Sequence, residues 1–280
     1  MSDEWNFASP LTLLREWQAR ADEAELRELL LLGFTVDLPF LEKVAISAAR
    51  AMGARITVVG DVAMGSYDPI DVRMAGRAYF HGLAACRGAF HPKLAVLIGE
   101  HDVVAAVGSG NPTMAGWGYN DELWTVFRTG GNGAPGGLPQ IGAWLRDLPG
   151  PVSVPEYVAT LLAEIAAFLT GLPVDADDSG DVRVLHNLRT SLFDQLPRGP
   201  VDELCLYAPF FGTGDALEQI IGRFDPARIV VGVQERWSSY DGNAIMRALA
   251  GRESEVRRLP EQVPAMASCW NGDAVTPGGR

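Results

Sequence analysis

Two apolar runs, LAVLI at residues 94–98 and VVAAV at residues 103–107, flank the turn-forming residues Gly99, Glu100, His101 and Asp102. Runs this short on either side of a turn read as a β-hairpin of buried strands. The hairpin fixes what its ends carry. His91 and Lys93 stand two residues apart near the start of the first strand, so they are expected on one face. Gly108, Ser109, Gly110 and Asn111 leave the end of the second strand. In an antiparallel pair that end lies beside the start of the first. An imidazole, an ammonium, a hydroxyl and a carboxamide are thereby expected at one edge of a sheet, a set suited to holding a phosphate and attacking it. Each has a plainer reading. Ser109 and Asn111 are common turn residues, and Lys93 would suit a solvated strand edge. Most histidines are structural or superficial, which is the expectation for His81, His101 and His186.

The set His91-x-Lys93 followed by Gly108-Ser109-x-Asn111 resembles the signature of the phospholipase D superfamily, HxKx4Dx6GSxN. The signature's Asp falls on Ile98, and the interval from Lys93 to Gly108 is longer than the pattern requires. The run Gly116-Trp117-Gly118-Tyr119-Asn120-Asp121-Glu122 is similar to the segment after GSxN in bacterial nuclease-like members, where a Glu often supports the His. The resemblance implies an α/β fold, a phospholipase D-like mixed sheet flanked by helices. It implies a metal-independent phosphodiesterase that works through a phosphohistidine and needs no cofactor. His91 would be the nucleophile, and Lys93, Ser109 and Asn111 would hold the phosphate. Glu122 would fix the imidazole tautomer, with a solvated surface residue as its plainer reading. A nuclease acting on DNA or RNA, in bacterial defence or DNA processing, is favoured over a phospholipid hydrolase.

The totals set limits on these readings. The 280 residues suffice for one large or two small domains, and 48% hydrophobic with 21% charged residues is an ordinary globular composition. No apolar run is long enough to span a bilayer, and the acidic N-terminus lacks the pattern of a signal peptide, so a cytoplasmic protein without membrane contact is expected. Cys86, Cys205 and Cys269 are far apart, which suggests reduced thiols and offers no metal-ligand spacing. The net charge of −12 opposes nonspecific nucleic-acid binding over most of the surface. A local patch drawn from Arg55, Arg73, Arg77, Arg87 and Lys93 would be needed.

Along the chain, residues 10–31 read as helical, 33–37 as a first short strand, 39–52 as a helix ended by Gly53, and 54–59 as a buried strand. A strand is expected within 75–85 and another at 123–127. The glycine-rich stretch 129–137 reads as a loop, and helices follow at 141–145 and 156–169. The acidic stretch 172–181 marks the expected boundary between a catalytic half, 1–171, and a second part, 182–280. That second part echoes the first: strand, Pro-Phe, helix, then Ala-Arg and a strand recur at 203–232. An incomplete second repeat is expected, without its own HxK, since no histidine follows His186. The tail, residues 275–280, reads as frayed. A second catalytic histidine would come from a homodimer partner or from a separate protein. Otherwise the chain would be a non-catalytic or half-site subunit of a larger assembly.

Overall fold

The structure, a computed structural model, describes residues 8–20, 25–65, 67–68, 70–178, 180, 182–208, 210–211, 215–233 and 239–258. The expectations for the acidic N-terminus, Cys269 and the tail fall outside the described residues. The chain divides into two compact units, 1–189 and 190–280.

The first unit opens with α1, Pro10–Ala19. Ser9 caps it through the Thr12 amide, Pro10 takes the first-turn position that needs no N–H, and Leu13, Leu14 and Trp17 form its buried stripe. The helix expected to reach residue 31 stops there, and β1 occupies Leu26–Leu32. The reason is burial on both faces. Leu30 and Leu32 enter one core, while Leu29 and Leu31 enter the other. A central strand covered on both sides is continuously apolar, and a run of leucines then carries helical propensity without helical structure.

Residues 33–37, expected as a strand, lie beyond β1. The amides of Phe34 and Thr35 bond a side chain instead of a neighbouring strand, and Asp37 caps the next helix through Phe40 N at 3.0 Å. That helix has three parts: α2, Leu38–Leu41; a π-helical turn, Glu42–Ile46; and α3, Ser47–Ala51. Gly53, at φ +88°, turns the chain out of it. The strands β2 (Arg55–Asp61) and β3 (Phe80–Ala84) follow, both parallel to β1. Then β4 (Leu94–Gly99), β5 (Val103–Gly108) and β6 (Trp124–Arg128) form an antiparallel meander. The mixed sheet has the order β3-β2-β1-β4-β5-β6.

Residues of α1 to α3 share one core with the sheet; α4 (Gly137–Asp147) and α5 (Glu156–Thr170) contribute to the other. Leu172, Val182, Val184 and Leu188 pack against this second core, and Asp178 accepts a bond from Gly136 N at 2.6 Å. The first unit therefore runs past the acidic stretch at 172–181.

Glu42 is buried in the π-helical turn and gathers the long β2–β3 excursion. Its carboxylate accepts from Arg73 N at 3.0 Å, Met74 N at 2.8 Å and the Tyr79 hydroxyl at 3.0 Å. Glu42→Ala would leave the buried Tyr79 hydroxyl and the partly buried amides of Arg73 and Met74 without this acceptor, and a loss of about 2 kcal/mol in folding stability is expected by urea denaturation. A loss below about 0.5 kcal/mol would show that the excursion holds itself.

The second unit contains α6 (Leu192–Gln195), β7 (Glu203–Tyr207), β8 (Phe210–Phe211), α7 (Asp215–Phe224), β9 (Arg228–Val233), β10 (Ser239–Tyr240), α8 (Gly242–Leu249) and β11 (Glu253–Arg258). Its three-stranded parallel sheet has the order β11-β9-β7, which repeats the order β3-β2-β1. The echo extends to side chains. Glu28 lies opposite Arg55 and binds it at 2.7 Å; Glu203 lies opposite Arg228 and also binds it at 2.7 Å. In the first unit the parallel strands lead into the HxK hairpin. In the second, the residues after β11 lie outside the described ones.

Candidate active site

The hairpin brings its two ends together as its sequence predicts. Leu94 pairs with Val107, and Gly108 N donates to Lys93 O at 3.1 Å. His91 and Lys93 do not lie on the strand, as expected, but just before it, since β4 begins at Leu94. Free of the ladder, their side chains turn to one another: Lys93 Nζ stands 2.8 Å from His91 Nδ1. With the ammonium as donor, Nδ1 accepts and the ring is neutral. His91 is exposed, with the Phe34 ring 4.5 Å from it, centroid to centroid, tilted 40°.

Asn111 meets the same residue from the other side. Its Oδ1 accepts from Phe34 N at 3.2 Å and Thr35 N at 3.3 Å. Two backbone donors require the carboxamide oxygen there, so the NH₂ group faces away from them as a donor. Phe34 thus ties Asn111 to His91. Close backbone packing sets Asn111 in place: a Cβ on Gly116 would lie 2.7 Å from Asn111 N and nearer still to Asn111 O. The π-helical turn Ala115–Tyr119 carries Gly116 into that position.

Ser109 N donates to Leu123 O at 3.0 Å, and Leu123 N returns a bond to Ser109 Oγ at 3.0 Å. Ser109 Oγ donates to Glu122 Oε2 at 2.5 Å, and Asn120 Nδ2 reaches Glu122 Oε1 at 3.2 Å. These bonds turn the Glu122 carboxylate to Ser109 and Asn120. The neighbour of the His91 ring is Lys93, whereas Glu122, expected to fix the imidazole tautomer, is bonded to Ser109 and Asn120.

The charges balance in a definite way. Partial burial pulls the His91 pKa below its ordinary value, and the Lys93 ammonium adds to that; the buried carboxylate of Asp61 pulls the other way. Burial likewise lowers Lys93, and the charge of Glu122 opposes the shift. A lowered His91 keeps its nucleophilic neutral form further into acid. In Lys93→Gln the ammonium is gone, so the His91 midpoint is expected to rise, seen as an upward move of the ring titration by NMR. A downward move would contradict the electrostatic assignment.

Other expectations separate from this group. Arg55 starts β2, at the opposite end from Asp61, where Glu28 and Glu164 bind it at 2.7 and 2.6 Å. Arg73 Nε donates to Ile70 O. Of the five cations considered for a patch, Lys93 reaches this constellation with its own side chain, at 2.8 Å from His91 Nδ1. Ile98, where the signature has Asp, is buried in hydrocarbon with Val96 and Val103. His81 packs in a half-buried position against Tyr67, with ring centroids 5.2 Å apart, and burial lowers its pKa. Phe34 and Asp61 were missed by sequence reasoning. Asp61 had left a signal, a carboxylate closing an apolar strand; Phe34 had left none beyond its place after Gly33. Among the described residues, no helix is long and apolar enough to cross a membrane.

No known family pattern matches the chain, and no curated protein matches its sequence. Solved structures do match. NucT from Helicobacter pylori aligns at 13% identity and TM-score 0.32, covering 42% of this chain and 77% of that one. A yeast tyrosyl-DNA phosphodiesterase variant aligns at 11% identity and TM-score 0.42, over 74% of this chain and 58% of that one. Polyphosphate kinase from Porphyromonas gingivalis aligns at 13% identity and TM-score 0.43, over 90% of this chain and 39% of that one. The chain thus spans less than two thirds of the latter two.

Proposed function

We propose that this chain carries one half of a metal-independent phosphodiesterase site whose substrate is a nucleic acid, DNA in the first instance. The observation that carries the reading is the Lys93 ammonium 2.8 Å from the exposed ring of His91. A phosphodiester oxygen is a charged and therefore stronger acceptor than a ring nitrogen. Its arrival draws the ammonium from the ring and leaves a neutral imidazole beside the phosphorus. Lys93 and the outward NH₂ of Asn111 then meet the nonbridging oxygens, where charge builds during attack. A ring nitrogen of His91 forms the N–P bond, the P–O bond to the leaving group breaks, and the leaving oxygen takes a proton from an acid. Water then cleaves the N–P bond and restores the ring. Ser109 gives its one hydroxyl proton to Glu122, so its part in holding the phosphate is proposed to be indirect, keeping the exit of β5 beside Lys93.

The acid is proposed to be a second histidine. Residues 190–280 contain none, and a second copy of this chain or another polypeptide is proposed as its source. That same fact favours a second reading, a half-site subunit inactive until joined to its complement. The test uses single- and double-stranded oligonucleotides and bis(p-nitrophenyl) phosphate in excess chelator, with the native mass measured in parallel. Hydrolysis by a homodimer supports the first reading. Lack of turnover by a monomer, restored by a partner protein, supports the second. Lack of hydrolysis by an assembled dimer would remove the proposal. Hydrolysis of a choline phospholipid in preference to both oligonucleotides would replace the substrate class.

A further inference from the structure

We infer that Asp61 is a positioning residue for this site, holding the backbone that delivers His91; the inference rests on the phosphodiesterase reading above. Asp61 ends β2 and is only 3% exposed. Burying a carboxylate is costly unless its oxygens are met. Both are: Oδ1 accepts from Ala63 N at 2.7 Å, and Oδ2 accepts from Phe90 N at 2.6 Å. The first bond is local and closes a turn. The second crosses 29 residues to the amide immediately before His91.

The geometry around that amide gives the bond its purpose. Residues 90–93 precede β4 and have no ladder to hold them. They are fixed at two points, Phe90 N on Asp61 and Lys93 O on Gly108 N. The Phe90 ring is buried, so the segment cannot swing without moving the core. Between these fixed points stand His91 and Lys93. Short bonds from backbone amides to an ionised carboxylate are stronger than neutral ones, which suits a segment whose side chains must stay in place while charge changes beside them. An amide in place of the carboxylate would turn one NH₂ against an N–H donor.

The groups acting on the ring are Lys93, which favours neutral imidazole, and Asp61, which favours imidazolium. Cys86 is pushed up by burial and by the Asp61 carboxylate. Glu122 acts on Lys93.

The test uses the full chain with Asp61→Asn and Asp61→Ser. Serine retains an acceptor for the local turn to Ala63 but loses both the charge and the reach to Phe90, so it serves if the Asn variant fails to fold. Hydrolysis of bis(p-nitrophenyl) phosphate is expected to fall about 100-fold in kcat, the effect of misplacing a reacting group by about an ångström, with KM changed less. The His91 ring titration, assigned by comparison with His91→Gln, is expected to move to lower pH. In the unaltered chain the Phe90 amide is expected to be protected from hydrogen exchange. Activity within about twofold of the parent together with an unmoved His91 titration would overturn the inference. So would rapid exchange at Phe90 in the folded parent chain. If the parent chain, in its assembled form, hydrolyses no phosphodiester, the function fails, while the titration and the exchange rate still decide whether Asp61 holds His91.

Discussion

Replacing His91 with Ala is expected to lower phosphodiester hydrolysis by at least about a thousandfold, with the fold intact. The size follows from the role: without the imidazole no N–P bond forms, and the remaining groups only hold the phosphate. The intact fold follows from the surroundings. His91 is exposed, its ring touches Phe34 and Lys93, and the buried anchor of the segment is its neighbour Phe90. A stability change within about 0.5 kcal/mol is expected by urea denaturation. Hydrolysis by the Ala variant at the parent rate, in a preparation free of contaminating nuclease, would remove His91 from the reaction.

The second large effect is expected at a residue without a side chain, packed against the backbone of Asn111. Gly116→Ala places a methyl group 2.7 Å from Asn111 N and still closer to Asn111 O. Both neighbours are backbone, so neither can turn aside. Gly110 closes the contact from the other side, since a Cβ there would press on the Gly116 carbonyl and lie 2.9 Å from the Trp124 ring. Relief requires Asn111 to shift, which breaks its bonds to Phe34 N and Thr35 N and moves its NH₂ group from the phosphate. A loss of about 100-fold in kcat/KM is expected. Gly118→Ala is the matched control in the same π-helical turn, where the nearest neighbour is Met114 Sδ at an ordinary 3.7 Å. Its activity is expected within about twofold of the parent. Equal activity of the two variants would show that the backbone under Asn111 gives way without consequence.

The hairpin was legible because two short apolar runs across a turn have few other solutions, and its register alone places Lys93 against Gly108. The recurrence of Pro-Phe and Ala-Arg pointed to segments whose parallel strands have the orders β3-β2-β1 and β11-β9-β7. The structure adds that the recurring Arg pairs with a Glu at the same register in both units. What could not be read has a common cause, since it depends on partners distant in sequence. The leucines of β1 become a strand because two cores cover them. After Gly33 N and Phe34 O make the last backbone bonds to β2, the chain turns from the ladder because Asn111, 76 residues from Thr35, takes the amides of Phe34 and Thr35. Glu122 turns to Ser109 because Leu123 pairs its backbone with Ser109, a contact made by closing the β5–β6 connection. A signature supplies the types of side chain at a site, and the hydrogen bonds of the folded backbone decide which of them face each other.

The account depends on His91 becoming bonded to phosphorus, and its most direct test is to trap that bond. Protein mixed with a labelled DNA substrate and quenched in alkali, where phosphohistidine survives, would be digested and its adducts located by mass spectrometry. The account predicts a nucleotide attached to the peptide containing His91, absent from His91→Ala. Steady hydrolysis with no adduct at His91, or with the adduct on another residue of this chain, would contradict it.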